Sequence, residues 1–140
     1  MLKIGITGTR SGMQDNQMIE LFEFFEKIST PFEFHHGDCV GVDVEAAVMA
    51  KDFGARVVCH PPIKDELRAF HKSDEFKDPL SYFARNRNIV NETDLLIVVP
   101  FQTSPQSHGG TWYTHDYAIK IGKPVMIIYP VDSIAQQVLK

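Results

Sequence analysis

Residues 94–99 read DLLIVV, in which one aspartate is followed by five apolar side chains. A second apolar stretch, LKIGIT at residues 2–7, also lacks regular alternation of polar and apolar positions. Strands with this pattern are typically buried on both faces, as in parallel sheets covered by helices. The two stretches therefore predict two strands of a parallel sheet, and the rest of the fold is read outward from them.

Segments with helical spacing alternate with further short apolar runs. Between residues 15 and 28 the apolar positions recur about every 3.6 residues, which predicts a helix with Asp15 as its cap. Gly54 and Gly122 follow two other helical segments at the position that glycine prefers after a helix end. The predicted strands are 2–7, 32–35, 56–59, 94–99 and 124–129, and the predicted helices are 15–28, 44–53, 81–92 with Ser81 as cap, and 111–121.

This order predicts one Rossmann-like domain over residues 1–140. It is a three-layer α/β/α fold with a five-stranded parallel sheet in the order 3-2-1-4-5. Residues 61–80 show little periodicity and predict an excursion loop, either a lid or a surface insertion, with room for one helical turn. The tail from Asp132 predicts a last helical turn or two.

Composition narrows the classes of function. The 140 residues are 44% hydrophobic and 23% charged, with a formal net charge of −4. The acidic balance and the lack of a basic run disfavour broad electrostatic binding of nucleic acid. The two cysteines form no CxxC pair, and no signal peptide or membrane-length apolar run is visible, so a cytoplasmic protein is expected. No cofactor is predicted.

Three loops at the carboxyl edge of the predicted sheet carry candidate binding residues, because ligands of open α/β sheets bind at that edge. The glycine pair that opens the helix at 111 is the strongest, since a helix start offers free amides to an anion. Arg85 and Asn86 open the helix before 94–99, where Arg85 is expected to point into the cleft. The candidate ligand-binding residues are Gly8, Thr9, Arg10, Gly37, Asp38, Asp43, Arg85, Asn86, His108, Gly109, Gly110 and Thr111.

Some of these residues also have plain structural interpretations. Asp43 is either a ribose-binding carboxylate or the N-cap of its helix. Trp112 and Tyr113 either stack on a base or lie in the core or at an interface. The six histidines contain no HxxxH pair with a matching acid, so no metal site is predicted.

Four segments together resemble the SLOG superfamily, which includes DprA-type domains, lonely-guy phosphoribohydrolases and YspA-like proteins. They are GITGTR, HHGDCVGVDVEAAVMA, ARNRNIV before DLLIVV, and HGGTW. The resemblance implies a nucleotide or nucleotide-derived ligand, with phosphate on the GGT turn. Lonely-guy enzymes carry PGGxGTxxE, whereas this chain reads HGGTWYTHD and has no glutamate at that offset.

The leading hypothesis is a module that binds a nucleotide or a ribosyl-phosphate ligand. The alternative is an enzyme that cleaves the N-glycosidic bond of nucleoside 5′-monophosphates, with Asp38, Asp43 and Asp116 as candidate catalytic carboxylates. Single-stranded DNA binding is disfavoured by the acidic balance. A pure interaction module also fits a fold of this kind. Self-association as a homodimer or higher homo-oligomer is expected, with Trp112 and Tyr113 at the contact.

Overall fold

The structure, a computed structural model, describes residues 1–131 and shows alternating strands and helices along the chain. The predicted turn after Asp132 lies outside the described residues. The elements are β1 (Leu2–Gly8), α1 (Asp15–Glu26), β2 (Phe32–His36), α2 (Val42–Asp52), β3 (Arg56–Cys59), β4 (Glu75–Phe76), α3 (Tyr82–Asn91), β5 (Leu95–Val99), α4 (Gly110–Lys120) and β6 (Val125–Ile127).

All strands pair in parallel, in the order β4-β3-β2-β1-β5-β6. The order predicted for the five expected strands is confirmed. The predicted number of strands is wrong, because the sheet of the described residues has six. The sixth strand is Glu75–Phe76, which pairs with the edge strand β3 inside the segment predicted as a loop. A strand of two residues is too short to produce a recognisable sequence pattern, so its formation depends on pairing with β3. No helical turn forms between residues 61 and 80.

The sheet separates two apolar cores. On one face α1 and α2 pack against the sheet through residues such as Leu21, Phe25 and Phe34, all at most 1% exposed. On the other face α3 and α4 meet β5 around Ile89 and Ala118. The predicted three-layer α/β/α architecture is therefore confirmed. Because the chain crosses the sheet in this way, the loops after the strands gather at the carboxyl edge.

Two helix starts differ from the prediction. The N-cap of α1 is Gln14, which exchanges hydrogen bonds with Gln17 in a capping box, so Asp15 is the first helical residue. Helix α2 begins at Val42 rather than Val44, with Gly41 as N-cap. Asp43 therefore lies inside the first turn of α2, and the N-cap interpretation is wrong.

Among residues 1–131, no helix has the length and apolar character needed to cross a membrane.

Candidate functional site

Three open depressions meet at the carboxyl edge of the sheet, and Arg10 and Tyr82 line all three. Their volumes are about 740, 600 and 400 Å³. The largest lies between α3 and α4, the second lies toward the segment 61–80, and the smallest lies over the loop after β1. Arg10 is exposed and donates from Nη2 to the Tyr82 hydroxyl over 3.3 Å. Its hydrogen bond to Tyr82 raises the pKa of Arg10, so the guanidinium is a permanent cation at this junction.

The first turn of α4 faces two of these depressions. Gly109 is the N-cap at φ +101°, and the first backbone bond of the helix runs from the Tyr113 amide to the Gly109 carbonyl over 2.9 Å. No side chain among residues 1–131 caps the earlier amides, which include those of Gly110 and Thr111. A helix start with free amides attracts anions. The first turn of α4 and Arg10 therefore form one electropositive corner, which includes the residues Gly109, Gly110 and Thr111.

The loop after β1 is held by close packing. A Cβ on Gly8 would lie 2.4 Å from Val42 Cγ1, so this glycine lets α2 approach the sheet. The Thr9 carbonyl accepts hydrogen bonds from the Gly12 and Val42 amides, and the Thr9 hydroxyl accepts one from Ser11. These bonds fix the backbone from which the Arg10 side chain extends into the depressions.

The loop between β2 and α2 is closed upon itself rather than open to a ligand. Asp43 is buried, and its Oδ2 accepts hydrogen bonds from the Gly37 and Cys39 amides at 3.0 and 3.3 Å. Burial raises the pKa of Asp43 to about 6, although the nearby Arg85 opposes this shift. Asp43 therefore ties the loop to the start of α2 through Oδ2, and at 6% exposure the carboxylate presents little surface to a ribose.

Asp38 is fully buried and anchors the segment 61–80. Its carboxylate accepts hydrogen bonds from Arg68 Nε at 2.9 Å and from the Phe70 and His71 amides at 3.2 and 2.9 Å. The Asp38 carbonyl accepts a further bond from the Ala69 amide. Asp38 was predicted to face a ligand, but donors from the protein already surround its carboxylate.

Arg85 does not project into the cleft, which corrects the sequence-based expectation. It is 2% exposed, and its Nη1 donates to the carbonyls of Gly37 and His60. Its Nε donates to the Asn86 side chain over 2.7 Å, which turns Asn86 inward as well. Its guanidinium carbon also lies 4.8 Å from the centre of the Tyr82 ring. Arg85 therefore supports Tyr82 and the loop at Gly37 from behind.

An aromatic wall forms one side of the largest depression. Phe83 packs on Tyr113 with ring centres 4.3 Å apart, and Tyr82 contacts Phe83 at 5.9 Å. The sequence does not single out Tyr82, Phe83 and Lys120, which line the largest depression, because nothing local shows which face of a helix an aromatic or basic residue occupies. Trp112 is 1% exposed and donates to Gln102, so a role in base stacking or at a surface contact is wrong for this residue.

Comparison of the sequence with protein-family models and with curated proteins gives no match. Solved structures do match in fold. A molybdenum cofactor binding protein from the phototrophic bacterium Rippkaea orientalis has a TM-score of 0.69 at 20% identity, over 99% of this chain and 82% of that one. The molybdenum cofactor carrier protein of Chlamydomonas reinhardtii gives 0.59 at 18% identity, over the whole of both chains.

The DNA processing protein A (DprA) of Streptococcus pneumoniae gives a TM-score of 0.70 at 18% identity. The match covers 96% of this chain and 52% of DprA, so this chain spans about half of that protein. The chain shares its fold with these proteins. At these identities the likeness extends to the fold alone.

Within this fold the three candidate carboxylates have different surroundings. Asp38 and Asp43 are buried, and protein donors occupy both oxygens of Asp38 and the Oδ2 of Asp43. Asp116 on α4 is 65% exposed, lines the largest depression and lies 2.8 Å from His115 Nδ1. Only Asp116 of these three is therefore accessible to a ligand. His108 is exposed beside the start of α4 and lines the same depression.

Proposed function

We propose that the protein binds a nucleotide or a nucleotide-derived ligand, with a phosphate group held between Arg10 and the first turn of α4. The observation that carries this proposal is the shared lining of one depression by Arg10, Gly109, Gly110 and Thr111. Free amides and a guanidinium are the donors that phosphate oxygens accept most readily in proteins. The net negative charge of the chain does not oppose phosphate binding, since Arg10 supplies positive charge at the site itself.

The neighbouring depression supplies room for the rest of the ligand. Its volume of about 740 Å³ lies within the usual range of small-molecule sites. The aromatic wall of Tyr82, Phe83 and Tyr113 offers ring faces for a base. Asp116 provides acceptors for ribose hydroxyls on the same wall. The molybdenum cofactor proteins support small-ligand binding as a use of this fold, although the fold does not specify the ligand.

The test compares AMP and ADP-ribose with adenosine, which lacks the phosphate. Isothermal titration calorimetry gives affinities, and thermal shift gives a second readout because a ligand of the native state raises Tm. We expect AMP or ADP-ribose to bind and adenosine to bind much more weakly. Arg10→Gln should weaken phosphate-ligand binding by about tenfold to a hundredfold, which corresponds to one charge-assisted hydrogen bond.

The matched control is Arg56→Gln, which removes the same charge from an exposed residue at the start of β3. This variant should bind like the unchanged protein. Equal affinity for AMP in Arg10→Gln and the unchanged protein would contradict the proposed phosphate site. Binding of single-stranded oligodeoxynucleotide in preference to AMP would replace the proposal with a DNA-binding function.

A second candidate function is hydrolysis of the N-glycosidic bond of a nucleoside 5′-monophosphate, which yields free base and ribose 5-phosphate. The accessible Asp116 beside His115 favours it, because a carboxylate near the sugar stabilises positive charge that develops on the ring. Chromatography of the bound nucleotide tests it. Release of base that is lost in Asp116→Asn, with AMP affinity retained, supports this function; unchanged nucleotide after prolonged incubation rejects it.

A further inference from the structure

A polar cluster lies on the sheet face covered by α3, away from the depressions. Side chains two residues apart on a strand share one face, so Glu33 and His35 of β2 project together. His60 follows β3, and its amide bonds to the His36 carbonyl over 2.8 Å, which continues the ladder. Glu92 is the C-cap of α3, and one of its carboxylate oxygens lies within 4.8 Å of a nitrogen of each ring. His35 and His60 are each 2% exposed, whereas Glu92 is about one-third exposed.

The three side chains converge closely. One ring nitrogen each of His35 and His60 and one carboxylate oxygen of Glu92 all lie within 4.8 Å of one another. His35 Nδ1 and His60 Nε2 are 2.8 Å apart. Two imidazole nitrogens and one carboxylate oxygen form a common ligand set for Zn²⁺ and related divalent transition metals.

We propose that His35, His60 and Glu92 form a site for a divalent transition metal ion, with Zn²⁺ as the best-fitting class. Three protein ligands leave a fourth position for water or another ligand, as in open zinc sites. A metal ion can reach the site from solvent at Glu92, because Glu92 is the partly exposed member of the three ligands.

The surroundings of His35 match those of a metal ligand. Its Nε2 lies 2.9 Å from Glu33 Oε1, so the ring donates that proton to a carboxylate and directs the Nδ1 lone pair toward His60. Metal-binding histidines commonly have such a carboxylate partner, which fixes the ring and raises its basicity. Burial also lowers the pKa of His35, and lowers that of His60 to about 3, so both rings are neutral at neutral pH.

Metal binding requires two local changes at the histidines. His60 must carry its proton on Nδ1 rather than on Nε2, and this exchange of tautomers leaves the ring neutral. A tetrahedral ion with bonds of about 2.05 Å also needs roughly 3.3 Å between the two nitrogens, so the rings must separate by about half an ångström. Lys77 Nζ lies 3.1 Å from Glu92 Oε1, so the ion must either bind the other carboxylate oxygen or displace the lysine. Because Lys77 is partly exposed, it can turn away into solvent.

The structure contains a second cluster of potential metal ligands, but hydrogen bonds and an ion pair already occupy its ligand atoms. His36, Asp38 and Cys59 also lie within 4.8 Å of one another. However, His36 Nδ1 accepts from the Asp38 amide and His36 Nε2 contacts Ser73 Oγ. The positive Arg68 occupies the Asp38 carboxylate as well. In the first cluster, by comparison, the two ring nitrogens form a hydrogen bond with each other and the lysine on Glu92 is partly exposed, which favours the site at His35, His60 and Glu92.

The experiment uses the full, untagged chain after dialysis against a chelator. Competition with a chromophoric indicator measures the affinity for Zn²⁺, and visible absorption of bound Co²⁺ reports its coordination. We expect one ion per chain. Glu92→Gln should weaken Zn²⁺ binding at least about tenfold, and Lys77→Gln should strengthen it several-fold by freeing the carboxylate and removing a cation. His60→Gln should abolish it.

Two controls isolate the site. Glu26→Gln changes an exposed carboxylate at the end of α1 and should leave Zn²⁺ affinity unchanged. Arg10→Gln should also leave it unchanged, which separates this site from the proposed ligand site. The absence of stoichiometric binding, or an affinity unaffected by Glu92→Gln, overturns the proposal. His60→Gln changes a buried residue and can fail to fold. Glu92→Gln changes a partly exposed residue, so it tests the proposal independently of His60→Gln.

Discussion

At the scale of single residues, two glycines share a positive φ but differ in their surroundings. Gly41 has φ +89° and Gly54 has φ +84°, a region that side-chain-bearing residues rarely adopt. A Cβ on Gly41 would lie 2.4 Å from the Arg10 carbonyl oxygen and 2.6 Å from that of Thr9. Within residues 1–131, no atom lies within 4 Å of a Cβ on Gly54. Gly41 therefore combines a positive φ with overlap against the backbone, whereas Gly54 has the positive φ alone.

We expect Gly41→Ala to lower the free energy of unfolding by roughly 3 kcal/mol or more, because strain and backbone overlap act together. The same change at Gly54 should lower it by only about 1 kcal/mol, since only the backbone strain applies. Urea denaturation followed by circular dichroism measures both. Equal losses in the two variants would show that the loop before α2 can move away from Arg10, contrary to the packing described here.

The two arginines show where the sequence is informative at this scale and where it is not. Arg10 follows a strand directly, so its place at the carboxyl edge could be predicted from the order of elements. Arg85 also lies near that edge, but its side chain points inward to the Gly37 carbonyl. Nothing local distinguishes an exposed arginine from one that satisfies buried carbonyls, because the partners are 25 and 48 residues away.

At the scale of elements, the five longer strands and four helices were predictable because burial imposes a pattern on their sequences. The strand Glu75–Phe76 was not predictable, since its pairing depends on the edge of β3 and on the anchoring of the segment 61–80. That anchoring comes from a residue distant in sequence, Asp38. Whether the segment 61–80 is a mobile lid or a fixed surface insertion therefore depends on long-range contacts. The contacts of Asp38 with residues 68–71 favour the fixed insertion.

Asp38→Ala tests this anchoring. The change leaves the Arg68 guanidinium and the Phe70 and His71 amides without their acceptor, so we expect a loss of about 3 kcal/mol in unfolding free energy. Hydrogen exchange at the Phe70 and His71 amides should accelerate more than exchange in β1. Asp65→Ala is the control, because Asp65 contacts the same arginine at 3.4 Å but is 74% exposed. Equal exchange rates in the two variants would contradict the anchoring role of Asp38.

At the scale of the whole molecule, the histidines make folding sensitive to acid. Burial lowers the pKa of His36 and of His60 to about 3, far below the value of about 6.5 in an unfolded chain. Their contribution to stability is present above pH 6.5 and is lost as the pH falls toward 3, because the unfolded chain binds their protons first. His35 acts in the same direction. Asp43 acts in the opposite direction, since its raised pKa favours the folded state at low pH.

These opposing contributions overlap between about pH 4.5 and pH 6. There the unfolded chain carries about two extra protons on His36 and His60, and the folded chain carries about one extra proton on Asp43. Unfolding then takes up about one net proton from these three groups, so their contribution to stability falls by about 1.4 kcal/mol per pH unit as the pH falls.

Asp43→Asn should make this dependence steeper. Both amide bonds to Asp43 use Oδ2, and the asparagine carbonyl can accept both from the same position. With the titrating carboxyl removed, the slope should increase by about 1.4 kcal/mol per pH unit between pH 4.5 and pH 6. Urea denaturation at half-unit steps of pH measures the slope for both proteins. Parallel profiles would mean that Arg85 keeps the buried Asp43 carboxylate ionised, so that the loop at Gly37 is held by a buried ion pair rather than by a neutral acid.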